Sequence, residues 1–141
     1  MNQYSKSYEE LITIPTFEER LRYLLLHGAV TDVTFGGHRY LNQLLYRCPE
    51  WRRLRSQIIM RDNGCDLGCD GYEIPSRALI HHINPISIDD INYRRPNVFD
   101  SNNLITTVLG THEIIHYGSE SDIWLFNPIE RKQNDTSPWR L

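Results

Sequence analysis

ALIHHINP, Ala78 to Pro85, is the stretch on which the reading of this chain turns. Ala78 to Ile83 is a short apolar, β-prone run, and Pro85 pushes Asn84 away from helical dihedrals and closes the strand. A second β-prone piece, Tyr72-Glu73-Ile74, precedes it across Pro75-Ser76-Arg77, a spacing that predicts a tight hairpin. The strand carries adjacent histidines, His81 and His82. Successive strand residues point to opposite faces, so the two line one site only where the strand ends or twists.

Upstream, PTFEERLRYLLLHG (15–28) predicts a helix capped by Thr16, with Glu19 as capping-box partner and Gly28 as the stop. After Gly36-Gly37, HRYLNQLLYR has helical spacing. Pro49 opens a further helix, PEWRRLRSQIIMRD, with Trp51, Leu54, Ile58 and Ile59 as its buried stripe and Asn63-Gly64 at its end. Downstream, residues 87–103 are polar and rich in turn formers, with one helical turn expected around Asp89 to Tyr93. THEIIHYG, Thr111 to Gly118, then predicts a short helix capped by Thr111 and ended by Gly118, with His112 and His116 on one face. The tail from about Glu130 has no pattern and is expected to be disordered.

The 141 residues suffice for one domain with a real core, and 40% hydrophobic with 23% charged residues is the composition of a soluble globular chain. No apolar run approaches the ~20 residues of a membrane span. MNQYSKSYEE lacks the apolar core of a signal peptide, and three cysteines argue against a disulfide framework; both predict an intracellular protein. A net charge of −3 does not mark a nucleic-acid binder, yet Arg47, Arg52, Arg53, Arg55 and Arg61 fall close together, opposed only by Glu50. Such a run is more often a solvated helix face, although it also suits phosphates.

Four of the six histidines fall in two groups, His81-His82 and His112/His116. Neutral imidazoles spaced i, i+4 on a helix suit zinc, nickel or manganese. HEIIH matches the H-E-x-x-H pattern of zinc peptidases, but the helix stops at Gly118, and Ser119 and Asp122 stand where the extended form has glycine and a third histidine. The peptidase is the minor alternative.

ALIHHINP, then NNLI, then THEIIH follow the order of an HNH endonuclease, with Asn103 nine residues before His112. From about Trp51 to Tyr117 the chain resembles the HNH, or His-Me finger (ββα-metal), nucleases, and WRRLRSQIIMRDNGCDLGCDGYEI with the closing IHYG is similar to HNH proteins of bacteriophage and prophage genomes. The resemblance implies an α+β fold: a ββα-metal core with N-terminal helices. It divides the chain into a helical extension (1–48), a nuclease core (49–120) and a tail (121–141). It further implies a metal-dependent DNA endonuclease in which His81, His112 and His116 hold one divalent ion (Mg, Mn, Ni or Zn), with His116 alternatively on the scissile phosphate. In that scheme His82 is the general base and Asn103 braces its loop. Arg52, Arg53, Arg55, Arg61, Arg94 and Arg95 become candidates for DNA phosphates, phage packaging proteins become candidate partners, and the setting is the cytoplasm of a bacterial host, as a monomer or weak dimer.

Many HNH proteins also carry two C-x-x-C pairs. Here Cys65 and Cys69 have three residues between them and Val108 and Thr111 replace the second pair. No structural zinc is therefore expected, Cys48, Cys65 and Cys69 are read as thiols, and Val108 suggests apolar packing instead. A degenerate HNH protein that binds DNA or a partner without cutting is the non-enzymatic alternative.

Overall fold

Side-chain caps start the first two helices, α1 (Tyr8–Leu11) and α2 (Phe17–Leu24): Ser7 accepts from the Glu10 amide and Thr16 from the Glu19 amide. The structure, a computed structural model, describes residues 5–26 and 45–125. The expected Gly36-Gly37 turn, the Gly28 stop, most of HRYLNQLLYR and the tail beyond 125 lie outside the described residues. Within them α2 gives way to extended backbone at Leu25, before the predicted stop. The helix α3 (Pro49–Arg61) starts at its proline as expected and buries Trp51 and Ile58, while Leu54 and Ile59 are half-buried. It ends where Asn63 and Gly64 take positive φ.

The strand β1 (Leu79–His82) forms where expected, but its partner is not residues 72–74. It pairs antiparallel with β2 (Leu104–Thr107), in the register Leu79↔Thr107, Ile80↔Thr106, His81↔Ile105 and His82↔Leu104. The predicted hairpin is thus corrected: Glu73 makes only an isolated bridge with Cys65. The physical reason lies in burial. Leu104-Ile105-Thr106-Thr107 is β-prone and wholly buried, whereas Tyr72-Glu73-Ile74 keeps Glu73 in solvent. Leu104 and Ile105 point to opposite faces of β2 and enter separate core clusters, one with Trp51, Ile58 and Val98 and the other with Phe17, Leu21, Leu67 and Ile115.

Between the strands run α4 (Ile88–Asn92), opened by a Ser87/Asp90 capping box, and α5 (Pro96–Phe99). After β2 come α6 (Leu109–Tyr117) and α7 (Glu120–Leu125). The helix α6 begins two residues ahead of the expected cap, so Thr111 lies inside its first turn and Val108 occupies the cap position without a side-chain bond. Gly118 does end it. The Gly118 amide donates to the Ile114 carbonyl at 2.8 Å, and a Cβ at this position would stand 2.7 Å from that same oxygen. The fold is α+β, with helices around one small antiparallel sheet. No helix among the described residues is long and apolar enough to cross a membrane.

Candidate metal centre

His81 leaves β1 on the face covered by α6, and there it meets the two α6 histidines. The rings of His81 and His112 are 5.1 Å apart, those of His81 and His116 5.1 Å, and those of His112 and His116 4.4 Å, all near edge-to-face. One ligand atom from each of the three lies within 4.8 Å of the others, the only such grouping among the described residues. Nε2 of His112 and Nε2 of His116 approach to 3.1 Å. The i, i+4 spacing on one helix face accounts for the second contact and the strand register for the first.

The electrostatics favour neutral, ligand-ready rings. Burial lowers His81 well below the ordinary imidazole range, and repulsion from His112 and His116 adds to it. Burial together with the His116 charge brings His112 down to about 3, and burial lowers His116. Nε2 of His81 is buried and has no hydrogen-bond partner. An orphaned buried nitrogen of this kind costs stability unless something accepts its lone pair or its proton. A divalent transition-metal ion fits that set: three imidazole donors, with coordination positions left over for other ligands.

His82, the last residue of β1, sits on the opposite face. Its ring stacks on Trp51 with centroids 5.4 Å apart and planes 19° from parallel. Nε2 donates to the Val98 carbonyl at 3.0 Å, since a carbonyl only accepts, and this leaves Nδ1 with the lone pair. Burial pushes His82 down to about 4, against the opposing pull of that carbonyl, so the ring is neutral at neutral pH. Strand alternation thus operates unbroken, and His82 stays outside the group of three. It is close enough that protonating it would oppose protonation of His81 and His112.

Asn103 is fully buried and ties the turn after β1 to the turn before β2. Its Oδ1 accepts from the Asn84 amide and from Asn84 Nδ2, both at 2.8 Å; its Nδ2 donates to the Asn97 carbonyl at 3.0 Å. The Ile83 amide donates to the Asn103 carbonyl at 2.8 Å, which fixes the residue that follows His82. Asn84 extends the network to the N-terminal segment by donating to the Lys6 carbonyl at 2.7 Å.

The six candidate arginines separate into groups. Arg52 and Arg53 are exposed on α3. Arg55 donates to the Ala78 carbonyl at 2.7 Å, just ahead of β1. Arg61 is part of the scaffold: it donates to the Ser101 and Leu104 carbonyls, pairs with Asp62 at 2.9 Å, and lies 3.4 Å over the Tyr8 ring. Arg94 pairs with Glu50, and Arg95 with Asp90 at 2.9 Å; both arginines are about half exposed, in the segment between the strands.

Sequence reasoning misses two carboxylates. Asp62 is buried and accepts from the Thr106 amide and hydroxyl at 3.0 and 2.7 Å, anchoring β2. Asp66 is buried and accepts from the Val108 amide at 3.2 Å and the Thr111 hydroxyl at 2.5 Å, anchoring the start of α6. Cys65 and Cys69 lie on either side of Asp66 as buried thiols, and Val108 is joined to this segment through its amide bond to Asp66. The one signal for Asp66 is α6 itself, which opens at a valine and so needs a cap from elsewhere in the chain. Comparison with protein-family models, with curated proteins and with solved structures finds no match for this chain.

Proposed function

We propose that the protein is a divalent-metal-dependent DNA endonuclease of the HNH kind, with β1, β2 and α6 as its ββα-metal core. The observation that carries the reading is the meeting of His81 from a strand with His112 and His116 from the following helix, beside a fourth histidine on the next strand residue. The order strand, strand, helix and the bracing of the intervening turn by Asn103 support it.

In this reading His81, His112 and His116 hold the ion through neutral ring nitrogens. The ion, when bound, supplies Lewis-acid stabilisation of the charge that develops on the phosphate and the leaving oxygen. His82 takes a proton from the attacking water at Nδ1, because Nε2 is committed to the Val98 carbonyl. The Trp51 ring and that carbonyl hold the imidazole in one plane, so the base does not have to be ordered at the moment of reaction. Water adds to phosphorus as the bond to the 3′ oxygen breaks, giving a 3′-hydroxyl and a 5′-phosphate. Arg52 and Arg53, exposed on α3, and Arg94 and Arg95, between the strands, are the arginines that would meet backbone phosphates.

The test is conversion of supercoiled plasmid to open circles with magnesium, manganese, nickel or zinc, run beside His82→Ala and a casein digestion control. Metal-dependent nicking that falls about 100-fold or more in His82→Ala, with zinc binding retained, is the expected result. Intact plasmid with every metal would sink the nuclease reading, and digested casein would favour the peptidase.

A further inference from the structure

The helix that carries His112 and His116 has no cap of its own. Val108 stands at the cap position and makes no side-chain bond to the first turn. What α6 lacks comes from a segment more than forty residues earlier in the chain: Asp66 accepts from the Val108 amide with one oxygen and from the Thr111 hydroxyl with the other. Thr111 is immediately followed by His112, so the carboxylate acts one residue from the first helical ligand.

Asp66 is itself held firmly. Its amide donates to the Tyr72 carbonyl at 2.8 Å, and it opens the short turn Asp66–Gly68. The next residue, Leu67, is fully buried with φ of 55°, a left-handed conformation that a leucine adopts only when its surroundings impose it. Arg20, from α2, donates to the Leu67 carbonyl at 2.8 Å. The Asp66 charge bears on the nearby Cys69 thiol, and among the described residues no lysine or arginine forms an ion pair with the carboxylate.

An asparagine would satisfy the same two groups without burying a charge. A carboxylate becomes preferable once a cation sits on the same helix, because an anion at the helix N-terminus offsets both the positive end of the helix dipole and the ion. We propose that Asp66 is a positioning residue for the metal centre: it caps α6 from outside the helix and supplies the negative charge that balances a cation held by His81, His112 and His116. The inference rests on reading those three histidines as a metal site.

The experiment is calorimetric titration of zinc and of nickel into the full chain, as wild type, His112→Ala and Asp66→Asn, at pH 7.5, with a thermal melt of each metal-free protein. The wild type is expected to bind one ion, His112→Ala to lose it, and Asp66→Asn to bind about tenfold or more weakly while melting at or above the wild-type temperature. Weaker binding in a protein that is no less stable is what a purely structural aspartate would not give. Wild-type affinity in Asp66→Asn would overturn the inference and leave the metal site standing. Failure of Asp66→Asn to fold would overturn it as well, by making Asp66 a requirement of the fold. No binding by the wild type would remove the metal reading and this inference together.

Discussion

Replacing Asp66 by asparagine in the metal-free protein should change how stability depends on pH. Burial raises the Asp66 carboxyl from 3.8 to about 6, against the opposing pull of the Thr111 hydroxyl and the Val108 amide. The folded state therefore binds this proton more tightly than the unfolded chain. Stability from the protonated acid is fully present below the unfolded value of 3.8 and is lost as pH rises through about 6. A shift of roughly two units at about 1.4 kcal/mol per unit gives a loss on the order of 3 kcal/mol between acid and neutral pH. Asparagine at this position carries no such dependence. Urea or thermal melts of wild type and Asp66→Asn from pH 4.5 to 8 isolate the effect as a difference, since every other titrating group is common to both. The variant should gain on the wild type as pH rises, by about 2 kcal/mol across this window because the unfolded carboxyl is already mostly ionised at pH 4.5, with roughly 3 °C in melting temperature per kcal/mol for a chain of this size. A difference that stays flat across this range, or moves the other way, would refute the assignment of Asp66 as a buried, ionising carboxylate.

Asn103→Ala removes the acceptor of the Asn84 amide and the donor to the Asn97 carbonyl, and should cost about 2–4 kcal/mol in a urea titration. Gly118→Ala sets a Cβ against the Ile114 carbonyl at 2.7 Å and should destabilise by about 1–3 kcal/mol in the same assay. The double change Arg52→Gln with Arg53→Gln should leave the melt unchanged and weaken plasmid binding. The slope of log affinity against log salt should become shallower by about 0.9 for each phosphate that these arginines no longer neutralise. Arg61→Gln should do the reverse, lowering the melting temperature by removing donors to the Ser101 and Leu104 carbonyls.

The parts of this molecule that are legible in its sequence are those fixed by neighbours along the chain. Thr16 reads as a cap because its partner, the Glu19 amide, is three residues away, and Ser87 with Asp90 closes the turn expected around Asp89 for the same reason. His112 and His116 read as a pair because helical spacing alone brings them together. The partner of β1 is not legible. Leu104 to Thr107 lies more than twenty residues away, and nothing local in LITT distinguishes a buried strand from a connecting link. Asp62 and Asp66 are hidden for a related reason. In DNGCDLGCDG a carboxylate reads as a solvent-facing turn residue, and only the arrival of Thr106 and Thr111 gives each a buried partner.

The adjacent His81 and His82 lie on opposite faces of β1. β1 lies between α6 and α3, so alternation along the strand sends His81 to the α6 histidines and His82 to Trp51 on α3. Each ring is thereby fixed by a different helix, and the residues beyond are held by Asn103. A one-residue slip of β1 against β2 would exchange the two faces and put the wrong histidine against α6. Resistance to such a slip comes from Ile83, buried beyond the strand end, and from the Asn103 bonds to Asn84. The site therefore depends first on strand register: it places three nitrogens where a cation can be held, and keeps the fourth histidine beside them without making it a ligand.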